Sequence, residues 1–164
     1  MDSTIEAIRN RRSLRAYTQQ PIARETIEEI VDCGRMAPTA MNEQPWDFVV
    51  ITDKVALASI PPILGHAEFI ANAAFAVLVL AKDTIYGLED CCAATENLLL
   101  AASARGIGSC WVAGSKQAYA PKVAAAFGAP ADRQLVAIVS FGYSDEEPQI
   151  EKKPLREVLH WERF

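Results

Sequence analysis

Histidine is scarce: the 164-residue chain has two, His66 and His160. So few leave little material for a Ser/His/Asp relay or a His-rich metal centre. The four cysteines, Cys33, Cys91, Cys92 and Cys110, form no C-x-x-C pair and have no histidine close in sequence. A zinc site is therefore not indicated, and reduced thiols in a cytoplasmic protein are the simplest expectation. No G-x-G-x-x-G turn is present either. "GIGSCW" has Trp111 where the third glycine would stand, so a separate Rossmann site for a nicotinamide is not expected. No run approaches the roughly 18 apolar residues of a membrane span. The N-terminus is charged from Asp2 onward and lacks the apolar stretch of a signal peptide. Basic charge is not in excess: a net charge of −5 and a pI near 5.1 argue against a general nucleic-acid binder. They leave room for a local basic pocket.

What is present is ordinary globular material, 51% apolar and 23% charged, at the commonest size of a single domain. Ser3 followed by Glu6 reads as a capping box that opens a short helix with Ile5 and Ile8 on one face. Ile27, Ile30, Val31 and Gly34 give a second helix, which should end before Pro38. "APTAMNEQPW" (37–46) reads as a non-helical loop and "WDFVVI" (46–51) as a strand, with Trp46 in the core at its start. "DKVALASI" (53–60) reads as a helix stopped by Pro61-Pro62. "AFAVLVLA" (74–81) suits a strand buried on both faces. "EDCCAATENLLLAASARG" (89–106) reads as a central buried helix with Gly106 as its stop, and Cys91 and Cys92 as small packing residues. "GIGSCWVAG" (106–114) is a turn entering a strand, "APKVAAAFG" (120–128) a brief helix, "RQLVAIVSFG" (133–142) another core strand. The tail is polar and then shortly amphipathic. With no repeat and no linker, residues 1–164 read as one α+β domain.

The densest chemistry is "RNRRSLRAY" (9–17). Arginine offers a planar fork of donors that fits phosphate or carboxylate. In an extended segment Arg11, Ser13 and Arg15 project to one side, while Arg12 and Leu14 project to the other. Several points of one anion can then be touched at once. A cation cluster at a helix C-terminus is also favourable with no ligand at all, so this stretch alone leaves both readings open.

Four pieces in order, "RRSLRAY" (11–17), "APTAMNEQPWDFVVI" (37–51), "GIGSCWVAG" (106–114) and "KKPLREVLHWERF" (152–164), together resemble the FMN-dependent nitroreductase family, in a compact version without long helical insertions. The resemblance implies a nitroreductase-like, mostly antiparallel sheet flanked by helices, and an intertwined homodimer with FMN at the subunit interface. It implies that Arg11 and Ser13 serve the FMN phosphate, with Arg12 contributing, and that Arg15 meets the polar edge of the flavin ring. Pro38, Thr39, Ala40 and Asn42 are the contacts it carries over from the partner subunit. It puts Trp111 and Val112 along the ring and a backbone N–H of Ala113 or Gly114 at flavin N5. Many larger members have an acidic residue where this chain has Ala113. Lys152 and Lys153 fall where the family closes the phosphate pocket. Ile150 stands where some members have another base, and both lysines also read as a solvated tail. His66 lies only loosely near a polar flavin contact and reads better as a surface loop histidine.

The implied activity is ping-pong electron transfer from NAD(P)H through FMN to flat, electron-poor acceptors such as nitroaromatics or quinones. Flavin supplies the redox chemistry, so no protein catalytic residue is expected. Alternatives within the resemblance are a flavoenzyme of the same fold with another reaction, such as dehalogenation or flavin destruction. A non-catalytic flavin- or nucleotide-binding dimer is a third.

Overall fold

The computed structural model describes residues 3–164; the side chain of Ser3, and with it the expected capping box, lies outside the described residues. The chain runs α1 (Ser3–Asn10), α2 (Arg24–Arg35), β1 (Trp46–Ile51), α3 (Lys54–Leu64), β2 (Phe75–Lys82), α4 (Gly87–Ala104), β3 (Gly108–Ala113), α5 (Ala120–Ala126) and β4 (Arg133–Gly142). The four strands form one antiparallel sheet in the order β1-β2-β4-β3. β1 and β3 are therefore the edges.

The apolar run of β2 dictates its central place. Phe75, Val77 and Val79 join the core shared with α2 and α4, while Ala76, Leu78 and Leu80 join the core under α3 and α5. Strand alternation sends successive side chains to opposite faces, so only a strand covered on both sides accepts such a run. Phe75 and Phe141, paired in register, stack at 4.5 Å. α2 lies against α4 at Gly34, where a Cβ would come within 2.6 Å of the Leu98 side chain. α4 ends as expected: Gly106 adopts a φ of 69°, and the N–H groups of Gly106 and Ile107 return to the carbonyls of Ser103 and Ala102. That is the Schellman closure glycine permits.

Two expectations are corrected. α3 does not stop at Pro61-Pro62 but runs to Leu64, capped at its start by the Asp53 carboxylate on the Ala56 N–H. Each proline lacks an N–H and forfeits a helical bond. Here the apolar stripe Leu57, Ile60, Pro61, Leu64 is buried, and that burial carries the helix through. The 37–46 loop contains one 3-10 turn, at Ala40–Asn42. The amphipathic tail makes only a short turn at Leu155–Glu157, and every residue from Glu151 to Phe164 is exposed. No helix among the described residues is long and apolar enough to cross a membrane.

Candidate functional site

Beyond α1 the chain turns extended and lies along the free edge of β3. The Leu14 N–H donates to the Ser109 carbonyl at 3.0 Å, with Ser13 bridged in parallel to Ser109. This close approach requires Gly108, where a Cβ would sit 2.8 Å from Leu14 Cδ1. Tyr17 fastens the far end: its hydroxyl donates to the Leu14 carbonyl at 2.8 Å and lies 2.8 Å from Ser140 Oγ. Burial pushes the Tyr17 phenol far above its usual range, so it stays protonated. The Glu146 carboxylate accepts from the N–H groups of Ala16 (2.8 Å) and Arg15 (2.6 Å). Those two backbone donors hold its pKa below the ordinary carboxylate value.

The cations divide. Arg12 turns back on the helix end, donating to the carbonyls of Arg9 (2.7 Å) and Arg11 (2.9 Å), the ligand-free role open to a helix-terminal cation. Arg11 lies 3.6 Å from the Glu96 carboxylate. The Arg15 guanidinium stands 5.8 Å from the centre of the Phe69 ring, on the other core's side. Arg11 and Arg12 line an open cleft of about 620 Å³ with Asn10, Ser109, Glu146 and Gln149. Leu14 lines it too but Ser13 and Arg15 do not, so the expected alternation is corrected: Arg11, whose N–H still closes the helix on the Ala7 carbonyl, shares this side with Arg12 and Leu14 and not with Arg15. Lys152 and Lys153, a few residues past Gln149, are exposed and do not line it.

The strand register resolves which backbone donor is free at the "CWVAG" segment. The Gly114 N–H donates inward to the Val136 carbonyl at 2.9 Å. Antiparallel pairing alternates along a strand, so Ala113, one residue earlier, turns its N–H and C=O off the open edge. Its carbonyl takes the Tyr119 hydroxyl. Of the two residues considered, Ala113 therefore has the available N–H. The side chains of Trp111 and Val112 enter the two opposite cores, Trp111 only partly. Cys110 is buried beside Arg15 and Ser140, and burial raises its thiol pKa.

Pro38, Thr39, Ala40 and Asn42 sit in a strained loop. Met41, Asn42 and Gln44 all have left-handed φ, at 51°, 58° and 49°. Each such non-glycine residue costs of order 1 kcal/mol and persists only where its surroundings impose it. The buried Asp90 carboxylate accepts from the Ala40 N–H at 3.3 Å, and Thr39 Oγ1 accepts from the Gln44 N–H at 3.0 Å. The loop leads into β1, at the opposite edge from β3. Among the described residues no hydrogen bond or ion pair joins it to the arginine segment, although both are tethered to α4, the loop at Asp90 and Arg11 at Glu96. His66 packs on Tyr119, ring centres 5.5 Å apart. Tyr119, Phe69, Glu146 and Asp90 are site-building residues that motif reading passes over. Among the described residues no cluster of His, Cys, Asp and Glu is arranged to hold a metal ion.

An antiparallel sheet between two helical layers, with cations and a free backbone donor along one edge, defines an α+β scaffold suited to an extended anionic cofactor. The sequence model described as "Nitroreductase family" matches residues 8–64 and 62–143, and the chain belongs to that family. It is 34% identical over 154 residues, 90% of this chain and 88% of the other, to an Archaeoglobus fulgidus protein named "Putative NADH dehydrogenase/NAD(P)H nitroreductase". It is 25% identical to the NADPH-flavin oxidoreductase of Vibrio harveyi, over 100% of this chain and 75% of that one. The solved structure of an FMN-dependent nitroreductase from Clostridium difficile superposes with a TM-score of 0.91 at 25% identity, covering 98% of this chain and 99% of that one.

Proposed function

We propose that this chain is an FMN-dependent NAD(P)H oxidoreductase of the nitroreductase type, its 164 residues forming one FMN-binding domain. The observation that carries the reading is the sheet edge itself. One strand turns the Ala113 N–H outward, and the segment pinned beside it carries Arg11 in the open cleft and Arg15 over the Phe69 ring, with Ser13 between them in sequence. That donor set fits FMN: guanidinium forks and a hydroxyl for the phosphate, an N–H for a ring nitrogen that accepts. Bound FMN supplies two-electron chemistry between NAD(P)H and an acceptor. The protein's part is to hold it. Arg11 and Ser13 bind the phosphate, Arg15 meets the polar edge of the ring, and Ala113 fixes the reactive edge. Arg12 contributes by closing the helix end from which Arg11 departs. Lys152 and Lys153 follow the cleft-lining Gln149 closely enough to fold over the phosphate.

The functional unit is a homodimer. The 38–42 loop leads into β1 and the arginine segment lies on β3, the two edges of one chain's sheet, so a site using both draws on two chains. Exposed Ile5 and Ile8 on α1, and Leu155, Trp161 and Phe164 in the tail, are apolar surface that such an interface would cover. Donor and acceptor take turns at the exposed ring, and flat electron-poor compounds fit a slot without a polar lock. Purified protein should be yellow, release FMN on denaturation, and bleach anaerobically on mixing with NADH or NADPH. Colourless protein that takes up no FMN would contradict the reading. Yellow protein that neither nicotinamide bleaches would favour a flavin-binding dimer over an oxidoreductase.

A further inference from the structure

Tyr119 does something the flavin reading does not require. It is the residue immediately before α5, half-buried against the core beneath that helix. Its ring is held against the His66 ring at 5.5 Å, tilted by 55°. From there its hydroxyl donates to the carbonyl of Ala113. Burial raises the Tyr119 phenol, so the hydroxyl remains a donor across the physiological range.

A residue on a free strand edge has no neighbouring strand to hold its outward peptide groups. At Ala113 the tyrosine takes the neighbour's place on the carbonyl side and leaves the N–H side open. The N–H and the C=O flank one Cα, so fixing the carbonyl restrains the torsions that aim the N–H.

We propose, resting on the FMN reading above, that Tyr119 is a positioning residue that locks Ala113 so that its N–H meets flavin N5. The consequence is specific to redox state. In oxidised flavin N5 has a lone pair that accepts the N–H. In reduced flavin N5 carries a hydrogen, and its remaining lone pair, delocalised into the rings, accepts far more weakly. A locked N–H therefore favours the oxidised cofactor, and loosening it weakens chiefly that form.

The test is Tyr119→Phe, which keeps the ring and its packing and removes only the hydroxyl. FMN affinity is measured by fluorescence titration for the oxidised cofactor and, under anaerobic reduction, for the reduced one. Oxidised FMN should bind about threefold to tenfold more weakly, the effect expected of one neutral hydrogen bond. Reduced FMN should lose clearly less affinity than the oxidised form. The potential of the bound flavin should rise correspondingly, by about 30 mV for a tenfold change in a two-electron couple. Equal weakening of both forms would mark Tyr119 as merely structural and overturn the inference. Unchanged affinities and potential would overturn it as well. Both outcomes leave the FMN reading standing as long as the wild type binds flavin; a wild type that binds none defeats that reading and this inference with it.

Discussion

Single side chains do separable jobs at the β3 edge. Arg11 is only partly exposed and already faces Glu96, so it is oriented before any anion arrives. Charge-assisted hydrogen bonds contribute about 1.5–3 kcal/mol, so Arg11→Ala should weaken FMN binding about tenfold or more in a fluorescence titration. Ser13→Ala should cost less, about threefold to tenfold, as expected for a neutral donor. Unchanged affinity in both variants would put the phosphate elsewhere. Glu146 acts on the backbone instead. Its pKa is lowered in the folded chain by the Ala16 and Arg15 N–H groups. A group so shifted stabilises the fold fully above its unfolded value, about 4.3, and loses that contribution as pH falls through the folded value. In urea titrations from about pH 6 down to about pH 3, Glu146→Gln should therefore show a shallower acid loss of stability than the wild type. Parallel curves would remove Glu146 from the role given it. Burial pushes the Cys91 thiol up to about 12 and raises Cys110 as well. Near pH 8 both should resist alkylation until the protein is unfolded, as peptide mapping would show.

Between elements, two glycines set close approaches with different consequences. Gly108 admits Leu14 and so lays the arginine segment on β3, whereas Gly34 admits Leu98 and joins α2 to α4, with no atom of that segment among its near neighbours. Both alanine variants overpack a tight contact and should lose about 1–3 kcal/mol of stability. Only Gly108→Ala should also weaken FMN binding in the protein that remains folded. Equal affinity in the two variants would mean that the segment's seat on β3 does not matter. Much of this level is readable from residue order alone. The unbroken apolar run of β2, the β4 run and the Gly106 stop of α4 each have one comfortable structural answer. The passage of α3 through Pro61-Pro62 was not readable, because it depends on what the helix buries. Nor were the left-handed residues of the 41–44 stretch, which carry no glycine signal. In the site, the arginine cluster and the "CWVAG" edge stand out as motifs. Glu146 and Tyr119 do not, because they act through backbone groups, in Glu146's case 130 positions away.

At the scale of the whole molecule, the proposed site draws on both the arginine segment and the 38–42 loop, and that proposal calls for two chains. Sedimentation should find a dimer, and removing residues 151–164 should both loosen it and reduce flavin retention. A wild-type monomer that holds flavin tightly would contradict shared sites. The central claim is narrower: the Arg11–Arg15 segment grips a phosphate and so anchors a flavin along β3. It is tested most directly by titrating flavin-free protein with FMN and with riboflavin, which lacks the phosphate, in the wild type and in Arg11→Ala. FMN should bind the wild type at least about a hundredfold more tightly than riboflavin, and Arg11→Ala should erase much of that difference while leaving riboflavin affinity unchanged. Equal affinities for the two flavins in the wild type would contradict it.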